Sequence, residues 1–272
     1  MCLTPSQRWR RSSLSQRRET QSSLSSEALR EVSSRVWALM QRQTLSTVSK
    51  LLTTAYFPPV SYFAAMAEDV SGFMTRRGDD SSLELSPSVV YIEACENFQK
   101  QSYRNRCRFY GAEGVQTLSF PIVHEGGTHK ISISDIKIDY KTPWVQQHER
   151  AIVSAYGMSA YFDYYKDELF AILESGYERL FDLNLALIRF FTEKIGLKVD
   201  IRFTEDYDRD PDMVDLRETI HPKRPNSILS ELDLEKPYFQ VFAPKYGFKS
   251  DLSIMDLLFN EGPDSIMFLK KL

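Results

Sequence analysis

The chain has 272 residues, 42% of them hydrophobic and 26% charged, with a formal net charge of −3. Such a length suits one large domain, or one domain with an appendage. Three cysteines (Cys2, Cys95, Cys107) without a C-x-x-C pair argue against a disulfide scaffold and suit a reducing compartment. No apolar run approaches the roughly 20 residues of a membrane helix; the nearest, "LFDLNLALIRFF", is interrupted by Asp182, Asn184 and Arg189. The expectation is a soluble, cytoplasmic protein with no membrane insertion.

Residues 1–49 carry eight Arg and three Glu, a net +5, so the remainder carries −8. A body this acidic is a poor general binder of nucleic acid, because that affinity comes mainly from neutralising phosphates. The first 49 residues are rich in Ser and Arg with little apolar content, and cannot bury enough surface to offset chain entropy. They are expected to be a disordered or dispensable extension, with a weak helix over "SSEALREVSSRVWALM". Their composition also resembles a transit peptide, and a later start at Met40 would remove residues 1–39. Residues 50–272 then form a single domain.

In chain order, "KLLTT" predicts a buried strand ending at Thr53–Thr54, because Pro58 cannot stay in a ladder. A short helix follows from Val60 or Ser61. "MTRRGDDSSLELSPS" is a polar loop, and "VVYIEA" (89–94) a strand rich in β-branched residues. "CRFYGAEGVQTLSFPIV" predicts a hairpin with Gly111 and Gly114 in its turn. In "KISISDIKID", Ile131, Ile133, Ile136 and Ile138 recur almost at period two, which predicts a strand with a bulge at Ser134–Asp135. Thr142 before Pro143 starts a helix that runs to Tyr156 and stops at Gly157. Two more helices follow, the second with the stripe Leu180, Leu183, Leu187, Phe190 and Phe191, ended by Gly196. "LKVDIRF" is a late strand, "YFQVF" a further candidate strand, and "LSIMDLLFNEGPDSIMFLKKL" a terminal helical hairpin. The class is α/β or α+β: a mixed sheet from the N-terminal half, with several helices from the C-terminal half.

The chemistry-bearing stretch is "CENFQKQSYRNRCRFY". Lys100, Arg104 and Arg106 follow the strand 89–94, and a loop beyond a strand's end is a common ligand position. Arg offers a planar fork suited to phosphate or carboxylate, and Lys a point charge. On extended chain Arg104 and Arg106 would face one side, with Asn105 on the other fixing the loop. The same arginines could instead pair with Glu93, Glu96 or Glu113 and hold the root of the hairpin. Thr54, with the amides near Ser61, could line an anion pocket at a helix N-terminus, and Lys223 could reach a second phosphate. Tyr56, Tyr103 and Trp144 are candidates for an aromatic pocket, although aromatics at such positions also form core.

His148 lies four residues after Trp144 on one helix face and is a candidate general base; beside Trp it could equally be a packed residue. Glu93 is the alternative carboxylate. His124 and His129 flank a Gly-Gly turn. Cys95 and Cys107 are near the basic cluster, which would lower a thiol pKa, yet a buried Cys also serves as a small hydrophobe. No His, Cys and carboxylate set has the spacing of a metal site, and the residues name no cofactor.

The order of "YFPPVSYFAAM", "VYIE" before "FQKQSYRNRC", "LSFPIV", "DIKID" with "PWVQQHERAIVSAY", "DLNLALIRFF", "DLRETIHPK" and "LSIMDLLFNEGP" resembles the WbqC-like family over residues 50–270. The resemblance implies a place in bacterial surface-polysaccharide (O-antigen type) gene clusters. Family members often carry His-Gln-Pro before the aromatic-Pro turn; this chain has Thr53-Thr54-Ala55-Tyr56, so no role for that His transfers. The expected activity is that of a transferase using a nucleotide-activated sugar or another phosphate-bearing donor, by acyl or aminoacyl transfer to a sugar amine. The alternative is a non-catalytic protein that binds a nucleotide sugar or a pathway partner.

Overall fold

The computed structural model describes residues 49–67, 88–123 and 131–270. The expectations for residues 1–48, the polar loop at 74–87 and the Gly-Gly turn with its two histidines lie outside the described residues. All of the described residues fall within the unit Thr47–Leu272.

Strand β1 (Lys50–Thr53) is buried along its whole length, as its apolar residues and its central position require. Strand β2 (Ser88–Glu93) runs parallel beside it, with Lys50 opposite Val90 and Thr53 opposite Glu93. Parallel neighbours need a crossover, and helix α1 (Val60–Ala67) lies in it, every residue buried. The Lys50 ammonium, itself buried, donates to the Ala65 carbonyl at 2.7 Å, where the last turn of α1 leaves carbonyls unpaired.

Strands β3 (Arg106–Gly111) and β4 (Gly114–Ser119) pair antiparallel around Ala112–Glu113. Helices α2 (Trp144–Tyr156), α3 (Phe162–Glu174) and α4 (Leu180–Ile195) follow, and Gly196 ends α4 in the left-handed conformation at φ 74°. Strand β5 (Val199–Phe203) then adds to the outer side of β2, and the two-residue strand β6 (Val214–Asp215) to the other side of β1. The parallel sheet therefore has the order β5-β2-β1-β6. Short helices α5 (Ile228–Glu231) and α6 (Ala243–Tyr246) lead to the buried helix α7 (Ile254–Glu261) and a 3₁₀ segment (Gly262–Phe268).

The class is α/β, with one correction: two of the four parallel strands come from the C-terminal half. Two expected strands are also absent from the described residues. Residues 131–139 form a 3₁₀ turn (Ile133–Asp135) flanked by single bridges, and Ile133, Ile136 and Ile138 are buried. The slip in their period is a turn rather than a bulge. "YFQVF" forms no ladder because Gln240 points inward: its amide donates to Asp256 at 2.6 Å and accepts from the Lys249 amide at 2.9 Å.

Gly262 offers a direct test of the packing at the end of α7. A methyl group there would lie 2.5 Å from the Tyr161 ring, and its φ is +57°. Gly262→Ala is expected to destabilise by about 2–3 kcal/mol through overpacking and backbone strain. Gly196→Ala meets open space, and only its left-handed φ opposes it, so about 1 kcal/mol is expected there. Urea unfolding of the two variants gives the comparison; equal losses would refute the close approach at Tyr161.

Candidate functional site

All four strands of the parallel sheet end on one edge, and in such sheets ligands sit in the crevice outside the carboxyl ends. A groove of about 650 Å³ lies there. Residues 95–100, which continue β2, line one wall, and Tyr207 and Arg209, on the loop after β5, line the other.

Glu93, the last residue of β2, is 0% exposed. Its Oε1 accepts from the Cys95 amide at 2.8 Å and from the Thr204 hydroxyl at 2.6 Å, and its Oε2 accepts from Arg217 Nη1 at 2.8 Å. Arg217 also pairs with Asp215 at 2.7 Å and donates to the Asp208 carbonyl at 2.7 Å. It stacks on Tyr207, 4.8 Å from the ring centroid. This one buried guanidinium ties the ends of β2 and β6 to the wall that carries Tyr207 and Arg209. Its hydrogen bonds to the Asp215 and Glu93 carboxylates raise Arg217 above its ordinary pKa, and at Asp215 the pull of Arg217 outweighs burial and lowers the carboxyl.

The basic cluster divides. Arg104 and Arg106 are not on one extended run: Arg104 lies in a 3₁₀ turn (Tyr103–Asn105) and Arg106 opens β3, so the period-two argument does not apply. Arg104, 2% exposed, grips Glu96 with both arms, its Nε at 2.8 Å from Oε1. Its Nη1 also reaches Gln99 Oε1 at 3.4 Å. Arg106 is half-buried, and its Nε has no hydrogen-bond partner among the described residues. The Asn105 amide donates to the Phe120 carbonyl at 2.9 Å, between the roots of β3 and β4. Lys100 is exposed on the groove wall. Lys223 is exposed and bonds Gln101, so it stands beside the loop that carries Lys100.

Glu96, by contrast with Glu93, lines the groove. Burial raises its carboxyl above the ordinary range, and Arg104 pulls it back only in part. Cys95 also lines the groove, half-buried, with Sγ 3.5 Å from the Thr204 carbonyl. Cys107 is buried in the core, where desolvation raises its thiol.

The expected aromatic pocket is packed interior. Tyr56 is fully buried, edge-on to Phe57 and Phe120, and Trp144 stacks on Phe120 at 5.0 Å. Tyr103 is buried too, and desolvation pushes its hydroxyl up to about 12. Among these rings sits His148, with Nε2 3.3 Å from the Ser119 carbonyl and Nδ1 2.8 Å from the Tyr56 hydroxyl. A carbonyl only accepts, so Nε2 carries the proton and Nδ1 accepts from Tyr56. Burial lowers the pKa of His148 to about 4, so the imidazole is neutral at pH 7.

Thr54 is buried just past β1. The start of α1 already has its acceptors: the Val60 amide donates to the Leu252 carbonyl at 2.9 Å, and the Ser61 amide to Asp251 Oδ1 at 2.8 Å. The turn that delivers the chain to α1 is strained, with Phe57 buried at φ 44°. Among the described residues, no three His, Cys, Asp or Glu side chains are grouped to hold a metal ion.

Both walls of the groove lie within residues 84–222, the stretch matched by the family model described as the WbqC-like protein family. The chain belongs to the WbqC-like protein family. It is also similar to a protein of Mycobacterium tuberculosis (strain ATCC 25618 / H37Rv) described as "Uncharacterized protein Rv1507c". The two are 26% identical over 204 residues, which cover 67% of this chain and 87% of the relative. No solved structure matches the chain. Among the described residues of this WbqC-like protein, no helix is long and apolar enough to cross a membrane.

Tyr207 and Arg209 are groove residues that sequence reasoning missed. They sit in "TEDYDRDPDM", which reads only as a polar loop until β5 is known to pair parallel with β2. A strand of that direction delivers its following loop to the edge where β2 ends.

Proposed function

We propose that this WbqC-like protein is a transferase of bacterial surface-polysaccharide biosynthesis that takes a nucleotide-activated sugar or another phosphate-bearing donor. The family's general context supports the pathway. The observation that carries the site is the groove at the carboxyl edge of the parallel sheet, where Lys100 and Arg209 enter no ion pair among the described residues. In this reading the two cations hold the substrate's phosphates, from opposite walls. The transfer is of an acyl or aminoacyl group to a sugar amine. The amine nitrogen of the nucleotide-activated sugar, here the acceptor, attacks the carbonyl carbon of a phosphate-bearing acyl donor. A C–N bond forms, the bond from that carbon to the donor's leaving group breaks, and the nitrogen gives up a proton. Glu96, which lines the groove and whose pKa burial raises, takes that proton on a lone pair that its bonds to Arg104 leave open; Glu93 and His148 do not line the groove.

A second reading, a non-catalytic nucleotide-sugar binder, is favoured by one observation. Glu93 and His148, the two expected proton-handling residues, have their polar atoms engaged inside the protein.

Isothermal titration with nucleotide sugars separates these readings from their failure. Lys100→Ala and Arg209→Ala are each expected to weaken that binding about tenfold or more, because each removes a charge-assisted contact worth about 1.5–3 kcal/mol. Unchanged affinity in both variants would overturn the site. Mass-spectrometric detection of a modified sugar, lost in a Glu96→Gln variant that still binds the nucleotide sugar in the titration, would decide for the transferase over the binder.

A further inference from the structure

Tyr207 is half-exposed, at 52%, although it belongs to the groove wall. A ring on a polar loop ordinarily samples several rotamers, but this one is held. The Arg217 guanidinium lies 4.8 Å from its centroid, and that guanidinium is itself fixed by Glu93, Asp215 and the Asp208 carbonyl. With a cation against one face, the exposed area is the ring edge and the opposite face. The same groove presents the Lys100 ammonium, the Arg209 guanidinium and the exposed amide of Asn97, which offers both donor and acceptor atoms. A rigid aromatic face beside two cations and an amide matches a ligand that joins a flat heteroaromatic ring to adjacent phosphates.

We propose that the groove binds a nucleoside diphosphate moiety, with the base stacked on Tyr207, its edge within reach of Asn97, and the diphosphate between Lys100 and Arg209. Arg217 is a positioning residue that holds Tyr207 in place. The proposal rests on the phosphate-donor reading above and narrows it to substrates that carry a nucleoside. Sugar 1-phosphates and acyl phosphates have no ring to stack. Two kinds of substrate share the chemistry: a nucleotide sugar that carries the accepting amine, and an acyl donor built on an adenosine diphosphate such as an acyl-coenzyme A.

The test is titration calorimetry of the full-length protein against uridine diphosphate, adenosine diphosphate, inorganic pyrophosphate, uridine diphosphate glucose and coenzyme A. Both nucleoside diphosphates are expected to bind about fivefold to a hundredfold more tightly than pyrophosphate, the range that base–aromatic stacking supplies. Tyr207→Ala removes that difference while pyrophosphate affinity stays as in the wild type, which shows the groove intact; Tyr207→Trp keeps it. The tighter of uridine diphosphate glucose and coenzyme A tells whether the groove holds the nucleotide-sugar acceptor or the acyl donor. If pyrophosphate binds as tightly as the nucleoside diphosphates, or if Tyr207→Ala leaves the difference in place, the nucleoside inference falls and the phosphate reading stands. If none of the five ligands binds, both fall.

Discussion

Arg104→Met is expected to destabilise the protein by about 3–5 kcal/mol, the cost of leaving a buried charge without its partner. Arg104 and Glu96 are 2% and 5% exposed, and the pair is bidentate. Removing the guanidinium strands the Glu96 carboxylate, 5% exposed, without its partner, and desolvation already raises that carboxyl with Arg104 in place. The Arg104 carbonyl accepts from Asn184 of α4 at 2.8 Å, so the loss spreads to the contact between the loop and the helix. The double variant Glu96→Gln/Arg104→Met removes both charges and is expected to recover most of the loss, because an ion pair replaced by packed neutral groups is often close to neutral. Glu178→Ala, which breaks the exposed Lys137–Glu178 pair, is the control and is expected to leave the urea midpoint unchanged. A double variant no more stable than Arg104→Met would show that the arginine acts through packing rather than through its charge.

Two buried groups, His148 and Asp256, are expected to act on stability in opposite senses between about pH 4 and pH 6, with contributions that nearly cancel. His148 has its pKa lowered to about 4 by burial. The unfolded chain binds that proton more tightly, so this group's contribution to stability is lost below pH 4 and rises with pH to about 6.5. Over that range it amounts to about 3 kcal/mol. Asp256 behaves in the opposite sense. Burial raises its carboxyl from 3.8 to about 6, with hydrogen bonds from Tyr238, Gln240 and Tyr156, all neutral donors, pulling it back. The folded state holds that proton more tightly, so its contribution falls by about 3 kcal/mol as pH rises from about 4 to 6. His148→Gln is therefore expected to lose stability as pH rises through this window, and Asp256→Asn to gain it. Urea unfolding at half-unit steps from pH 4 to 7 measures both slopes. Parallel curves for the wild type and the two variants would refute the assignment of either group.

Local chemistry made much of the fold legible. The Pro58–Pro59 turn, the Ala112–Glu113 hairpin between two glycines and the left-handed Gly196 each follow from what one or two residues permit in the backbone, and each lies where the residues predict. The apolar stripe of α4 is buried as its 3.6-residue period requires. Residues 131–139 were less legible, since near-alternating isoleucines fit a bulged strand and a 3₁₀ turn equally well. Strand β6 has only two residues, Val214 and Asp215, and no periodic signal can mark so short an element.

The candidate site was legible in part. The stretch after β2 drew notice by its charge, and Lys100 is on the groove wall. Nothing in the spacing tells which of its cations turns inward, because that depends on where Glu96 lies once the loop folds over β2. The role of Glu93 likewise depends on Arg217, 124 residues further along the chain. Sequence by itself determined most of the local elements, their glycine stops, and the likeness of the chain to its family, since these rest on neighbours in the chain. The expected Thr142 cap did not hold, because α2 opens at Trp144 with Pro143 before it and no side-chain cap. Tertiary structure alone decided that the loops after β2 and β5 share one edge, that Arg104 pairs inside while Lys100 and Arg209 stay at the groove, and that Tyr207 is held by Arg217. The reason is physical: burial and charge pairing depend on distances between groups far apart in the chain, and parallel strand order sets those distances.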